Sequence, residues 1–170
     1  MSLKEKFRHI IDFPKKGIDF IDITTVLQDK DTFKCAVDSL IEKIKDMDFD
    51  LVIGPESRGF IFGAPIAYAL NKGFIPIRKR GKLPYKTIQA AYELEYGTDV
   101  LEMHEDAVAP GQRVIIIDDL LATGGTTKSN IQLVEQLGGV VAGIVYLVEL
   151  EFLNGREKLQ GYNVDSIVKF

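Results

Sequence analysis

Apolar residues along this chain alternate between two rhythms. Residues 114–117 are an uninterrupted β-branched run, Val-Ile-Ile-Ile, the pattern of a strand buried on both faces in a parallel sheet. Residues 128–137 then carry Ile131, Val134 and Leu137 at helical spacing. Gly138 and Gly139 stop that helix, and residues 140–148 read as another strand. The same unit occurs upstream: a short apolar strand at 51–53, a helix over 60–70 and a third strand at 74–77. Phe33, Ala36, Val37, Leu40, Ile41, Ile44 and Met47 fall on one face of an earlier helix, preceded by Asp29 and Asp31. Residues 90–96 and 99–103 alternate like paired strands, with Gly97 and Thr98 as the turn. Residues 154–159 predict one helical turn, and 164–170 a last strand. At the start, 2–12 predicts a short amphipathic helix ended by Pro14 and Gly17, and 18–23 a short exposed strand or an arm packing on the domain. Strands alternating with helices predict an α/β fold with a central, mostly parallel sheet flanked by helices.

Composition narrows this picture. The 170 residues fit one domain with a real core; 46% hydrophobic and 27% charged residues suit a globular protein. A net charge of −4 gives no reason to expect nucleic acid or a membrane as partner. No apolar run approaches the ~20 residues that span a bilayer, and the first residues are polar, without a signal-peptide core. The single cysteine, Cys35, suits a reducing compartment and hence the cytoplasm. Its place in a helical stripe predicts a small buried hydrophobe. The two histidines, His9 and His104, have no ligand spacing around them.

The chemistry concentrates in the loops. After the central strand comes Asp118-Asp119-Leu-Leu-Ala122-Thr123-Gly124-Gly125-Thr126-Thr127. A loop entering a helix offers free N–H groups and the positive end of the helix dipole to an anion. The small residues leave room for it, and Thr123, Thr126 and Thr127 add hydroxyls. The loop lacks a Walker lysine and is not G-x-G-x-x-G. Two carboxylates just before a phosphate loop suit sugar hydroxyls or a nearby metal, so a ribose 5-phosphate fits; the plain alternative is that they cap local N–H groups. A second loop, Gly-Pro-Glu56-Ser57-Arg58-Gly59, offers one cation among small residues, for a second anion or for an ion pair with Glu56. Residues 78–86, Arg-Lys-Arg-Gly-Lys-Leu-Pro-Tyr-Lys, hold five cations and no acid. Gly81 and Pro84 make this a loop, and it reads as a cationic lid.

The run of an apolar strand, two acids and Ala-Thr-Gly-Gly-Thr resembles the phosphoribosyl-pyrophosphate motif of the type I phosphoribosyltransferases. Glu-Ser-Arg-Gly-Phe, Arg-Lys-Arg-Gly-Lys-Leu-Pro and Leu-Glu-Tyr-Gly resemble the adenine-using branch, and the likeness covers nearly the whole chain. It implies a purine-salvage transferase making AMP and pyrophosphate from adenine and phosphoribosyl pyrophosphate, with magnesium carried by the substrate and no direct protein metal site. It also implies a single domain over 1–170, with a hood of about 30 residues, and a homodimer.

On matching positions, Ala122, Thr123, Gly124, Gly125 and Thr126 would hold the 5-phosphate, and Asp118 and Asp119 the ribose hydroxyls. Ser57, Arg58, Arg78, Lys79 and Lys82 would meet pyrophosphate. Glu95 would exchange a proton with the base or hydrogen-bond to it. Asp19 and Ile21 would offer backbone contacts to adenine, and Phe20 and Leu150 apolar surface. Ile21 stands where many relatives have Arg. The central motif reads only the sugar phosphate, so a transferase for xanthine, hypoxanthine or orotate is the alternative. A purine-sensing DNA-binding regulator is more distant, since a basic face and an added domain are missing.

Overall fold

The computed structural model describes residues 2–94 and 97–170. Numbered along the chain, its strands are β1 (Arg8–Ile11), β2 (Asp19–Asp22), β3 (Leu51–Pro55), β4 (Gly73–Lys79), β5 (Thr87–Leu94), β6 (Gly97–His104), β7 (Arg113–Leu121), β8 (Val140–Glu149) and β9 (Val164–Lys169). The helices are α1 (Thr24–Gln28), α2 (Lys30–Ile44), α3 (Arg58–Ala69) and α4 (Gly125–Gln136). Seven strands form one sheet in the order β5-β6-β4-β3-β7-β8-β9. The strands β4, β3, β7, β8 and β9 run parallel to one another; β6 pairs antiparallel with β4 and with the edge strand β5.

The isoleucine run lies where its composition demands. Ile115, Ile116 and Ile117 in β7 are wholly buried, and the strand is covered on both faces. Ile115 and Ile117 join the core under α2 and α3, with Leu40, Phe62 and Ile66. Val114 and Ile116 face the other way, with Ile131, Leu133 and Val134 of α4. The unit β3-α3-β4 steps outward in one direction and β7-α4-β8 in the other. Right-handed crossovers then put α3 and α4 on opposite faces of the sheet. This leaves a crevice between β3 and β7 at the carboxyl ends of the strands, the switch point where open α/β sheets hold ligands.

Several local expectations change. Residues 2–12 are not a helix: a 3-10 turn (Leu3–Lys6) leads into β1, which pairs with β2 as a separate two-stranded sheet. Pairing with 19–22 satisfies the backbone that a short helix would have frayed. Of the two readings of 18–23 the packed arm holds, because Ile21 and Ile23 point into the main core. The short helix α1 carries too few residues to show a period in sequence. Cys35 is exposed, on the outer side of α2 beside buried Ala36. Gly97 and Thr98 are not the turn; they pair with Leu94 and Glu93 inside the β5–β6 ladder. Arg78 and Lys79 belong to β4, paired with Glu102 and Leu101 of β6, so the lid loop starts only at Arg80. Asp29 does cap α2, its side chain accepting the Thr32 N–H at 2.8 Å. Among the described residues no helix is long and apolar enough to cross a membrane.

Candidate active site

A cavity of about 250 Å³ fills the crevice between β3 and β7, lined by residues 55–58 and 118–127. One wall is the start of α4. Gly124 enters the helix with a left-handed φ of 82°, a conformation that glycine adopts without the strain of a Cβ. The first intrahelical bond of α4 runs from the Lys128 N–H to the Gly124 carbonyl, at 3.0 Å. The N–H groups of Gly125, Thr126 and Thr127 precede it and have no helical partner. Thr123 and Thr126 line the cavity with them. Thr127 differs from expectation: its hydroxyl lies 2.5 Å from the Tyr146 hydroxyl, in the interior. It holds the helix start rather than waiting for a ligand.

The second wall is the end of β7. Asp118 Oδ1 accepts the Asp119 N–H at 2.8 Å. Asp119 is buried, and Arg58 Nε lies 2.9 Å from its Oδ2 as an ion pair. Burial, then the neighbouring Asp119 charge, pushes the Asp118 carboxyl well above the ordinary range. Burial also raises Asp119, against the pull of Arg58. The pair therefore resists carrying two full negative charges. A ligand offering hydroxyl donors or a cation would relieve that.

Arg58 was open to pairing with Glu56, and the structure gives that role to other cations. Lys82 Nζ is 2.6 Å from Glu56 Oε2, Arg78 Nε is 3.4 Å from Oε1, and the Lys79 N–H donates to Oε1 at 2.7 Å. Burial raises the Glu56 carboxyl, but these partners outweigh it and hold it below the usual range. Three of the expected pyrophosphate residues thus gather around one carboxylate at the rim. They do not line the cavity itself, and the Lys79 ammonium lies toward Asp99, 3.5 Å away.

The remaining candidates lie on other elements. Asp19, Phe20 and Ile21 are in β2. Asp19 Oδ2 is 2.7 Å from His9 Nδ1 across the hairpin, and Phe20 packs edge-on against Phe13, centroids 5.3 Å apart. The Ile21 side chain is in the core and is not available to a ligand. Hydrogen bonds from Thr24 hold the Asp22 carboxyl of β2 below the usual range, with a lesser pull from Arg58. Leu150 follows β8, and its N–H bonds the Leu121 carbonyl at the end of β7. Glu95 lies outside the described residues. Among the described residues no three His, Cys, Asp or Glu side chains gather to hold a metal.

Sequence reasoning missed Tyr146, Gly155, Arg156 and Glu149. Tyr146 was hidden inside an apolar strand. The Gly155-Arg156 pair was visible, but nothing local says which loop it touches.

A crevice at the switch point, with helix N–H groups on one wall and two acids on the other, has the walls that a sugar phosphate would need. Residues 24–169 match the model of the phosphoribosyl transferase domain. The chain is 72% identical to the adenine phosphoribosyltransferase of Caldicellulosiruptor saccharolyticus over 170 residues, all of this chain and 97% of that protein. The crystal structure of the adenine phosphoribosyltransferase of Thermoanaerobacter pseudethanolicus superposes with a TM-score of 0.96 at 55% identity, covering 99% of this chain and 100% of that one. The enzyme of Saccharomyces cerevisiae, solved with an imino-altritol bisphosphate and adenine, gives a TM-score of 0.89 at 39% identity over 95% of this chain and 94% of that one. The chain belongs to the phosphoribosyltransferase family, and within it to the adenine phosphoribosyltransferases.

Proposed function

We propose that this chain joins adenine to the ribose 5-phosphate of phosphoribosyl pyrophosphate, releasing AMP and pyrophosphate in purine salvage, and that the crevice between β3 and β7 is where it does so. The observation that carries the reading is the opposed pair of walls. The N–H groups of 125–127, with Thr123 and Thr126, take the 5-phosphate; Asp118 and Asp119 accept from the ribose hydroxyls. As adenine N9 attacks C1 and the bond to pyrophosphate breaks, the ribose gains positive character that the two carboxylates favour.

Ser57, Arg58, Arg78, Lys79 and Lys82 stabilise the departing pyrophosphate. For the last three this means exchanging Glu56 for the ligand, as the loop beginning at Arg80 closes. Adenine lies against Phe20 and Leu150, with the backbone of Asp19 and Ile21 reading its edge. The Ile21 side chain is committed to the core, which supports backbone rather than side-chain recognition there. Glu95, placed by its Leu-Glu-Tyr-Gly motif, exchanges a proton with the base.

The donor set fits magnesium carried by the substrate. The carboxylates of Asp118 and Asp119 edge the cavity, and Arg58 is ion-paired with Asp119 Oδ2 there. When bound, the cation would offset the negative charge of the pyrophosphate. We further place the chain in a homodimer. Ile61 and Tyr68 stand out from α3 with Ala64 between them, and Tyr68 is 90% exposed; an uncovered apolar stripe of this kind suits a second copy. One domain over 1–170 with the β1–β2 hairpin as hood, and a cytoplasmic site that suits the free thiol of Cys35, complete the reading.

Incubation with magnesium, phosphoribosyl pyrophosphate and adenine, hypoxanthine or xanthine in turn tests it. AMP formation with adenine preferred is expected. Turnover of an oxopurine with none of adenine would overturn the assignment, because an acceptor placed for the 6-amino group cannot serve a 6-oxo group.

A further inference from the structure

After β8 the chain doubles back under the phosphate loop through two 3-10 turns, Glu151–Leu153 and Gly155–Leu159. Gly155 is buried, and a Cβ built on it would stand 2.4 Å from the Ala122 carbonyl oxygen. A Cβ built on Gly124 would stand 2.6 Å from the Gly155 carbonyl oxygen. Loop and turn therefore touch backbone to backbone, with no side chain between them to absorb a shift. Leu159 anchors the far end of the turn in the core. Arg156 holds the near end. Its Nε and Nη2 reach both oxygens of Glu149, at 2.6 and 2.7 Å, and its Nη1 donates to the Val164 carbonyl at 2.7 Å. Ser166 Oγ donates to Glu149 Oε2 at 2.6 Å. Glu149 is 4% exposed. A bidentate guanidinium on a buried carboxylate is a rigid joint.

We propose that Arg156, held by Glu149 and Ser166, is a positioning residue for the transfer. It fixes the Gly155 backbone as the floor on which residues 122–125 rest, and so sets the spacing of the N–H groups that take the 5-phosphate. The proposal rests on the reading of 122–126 as the sugar-phosphate loop. None of the three side chains lines the cavity, so their effect travels only through the floor.

The test is calorimetric binding of ribose 5-phosphate and of adenine, with KM for phosphoribosyl pyrophosphate and melting temperature, for Gly155→Ala, Arg156→Met, Arg156→Lys and Ser166→Ala. Misplacement by a fraction of an ångström costs affinity steeply. Gly155→Ala and Arg156→Met should weaken ribose 5-phosphate at least about tenfold and raise KM for phosphoribosyl pyrophosphate, with adenine binding within about twofold. Arg156→Lys, which keeps the charge but not the fork, should fall between. Gly155→Ala leaves the ion pair intact, so it separates floor position from loss of a buried charge. If Arg156→Met does not fold, Ser166→Ala, which removes one bond, must still show a loss confined to ribose 5-phosphate. Equal losses for sugar phosphate and adenine, or folded variants with unaltered ribose 5-phosphate binding, overturn the clamp. A wild-type protein that does not bind ribose 5-phosphate overturns the reading of the loop, and the clamp with it.

Discussion

Replacing Tyr146 by Phe removes a single oxygen from the interior. Tyr146 has no exposed surface, and Thr127, whose hydroxyl it meets at 2.5 Å, is also buried. The substitution leaves Thr127 Oγ1 without that partner and out of reach of bulk water. Stranding one buried hydroxyl costs about 1–3 kcal/mol. In a chain of this size that lowers the melting temperature by about 2–12 °C. Burial pushes the Tyr146 hydroxyl far above the range of an ordinary tyrosine, so it stays protonated and the loss should be the same from roughly pH 5 to 9. The companion variant Thr127→Val strands the tyrosine instead and should cost a similar amount. The double variant Thr127→Val/Tyr146→Phe strands nothing. Two apolar groups of the same shape then meet, and it should recover to within about 1 kcal/mol of wild type. Thermal and urea melts of the four proteins close the cycle. Additive losses, with the double variant the least stable, would refute the pairing. So would Tyr146→Phe within about 0.5 kcal/mol of wild type.

Asp118→Asn should abolish turnover yet raise stability at neutral pH. The folded pKa of Asp118 lies above its unfolded value, so ionisation costs stability as pH rises through that interval; the advantage of Asn should fade as pH falls toward about 4, and an Asn variant that melts lower at pH 7 would contradict this. Lys82→Ala should weaken pyrophosphate-dependent steps more than AMP binding, and should shift the melt by no more than about 1 kcal/mol because Lys82 is half exposed and Glu56 keeps Arg78 and the Lys79 N–H; equal losses in both bindings would argue against a lid. Glu95→Gln should lower turnover strongly while ribose 5-phosphate still binds, as measured by steady-state rates beside calorimetry; unchanged turnover would remove Glu95 from the proton transfer.

What could be read in advance follows the range of the interactions involved. The β-branched run of β7 and the i, i+3 spacing of α2 and α4 are local patterns that tertiary packing reinforces, and they reported their elements correctly. The acids and the small-residue loop stood out because an anion site at a helix start would use consecutive residues. The pairing of β1 with β2 was not, since Phe7, Ile10 and Ile11 fit a helical face until residues 19–22 supply a partner strand. Nor were the partners of Arg58 and Glu56. Both are set by how strands β3, β4 and β7 align, which puts Asp119 beside Arg58 and the Lys82 loop beside Glu56. The Gly155 contact joins residues more than thirty apart through bare backbone, which leaves no chemical signature in either segment.

The β1–β2 hairpin shares no ladder with the seven-stranded sheet. Side chains such as Ile21 hold this flap on the domain, while the phosphate loop rests on the Gly155 turn as peptide laid on peptide. Laboratory evolution toward an altered nucleobase would therefore have room to work in the flap. A changed sugar would demand rebuilding the main chain.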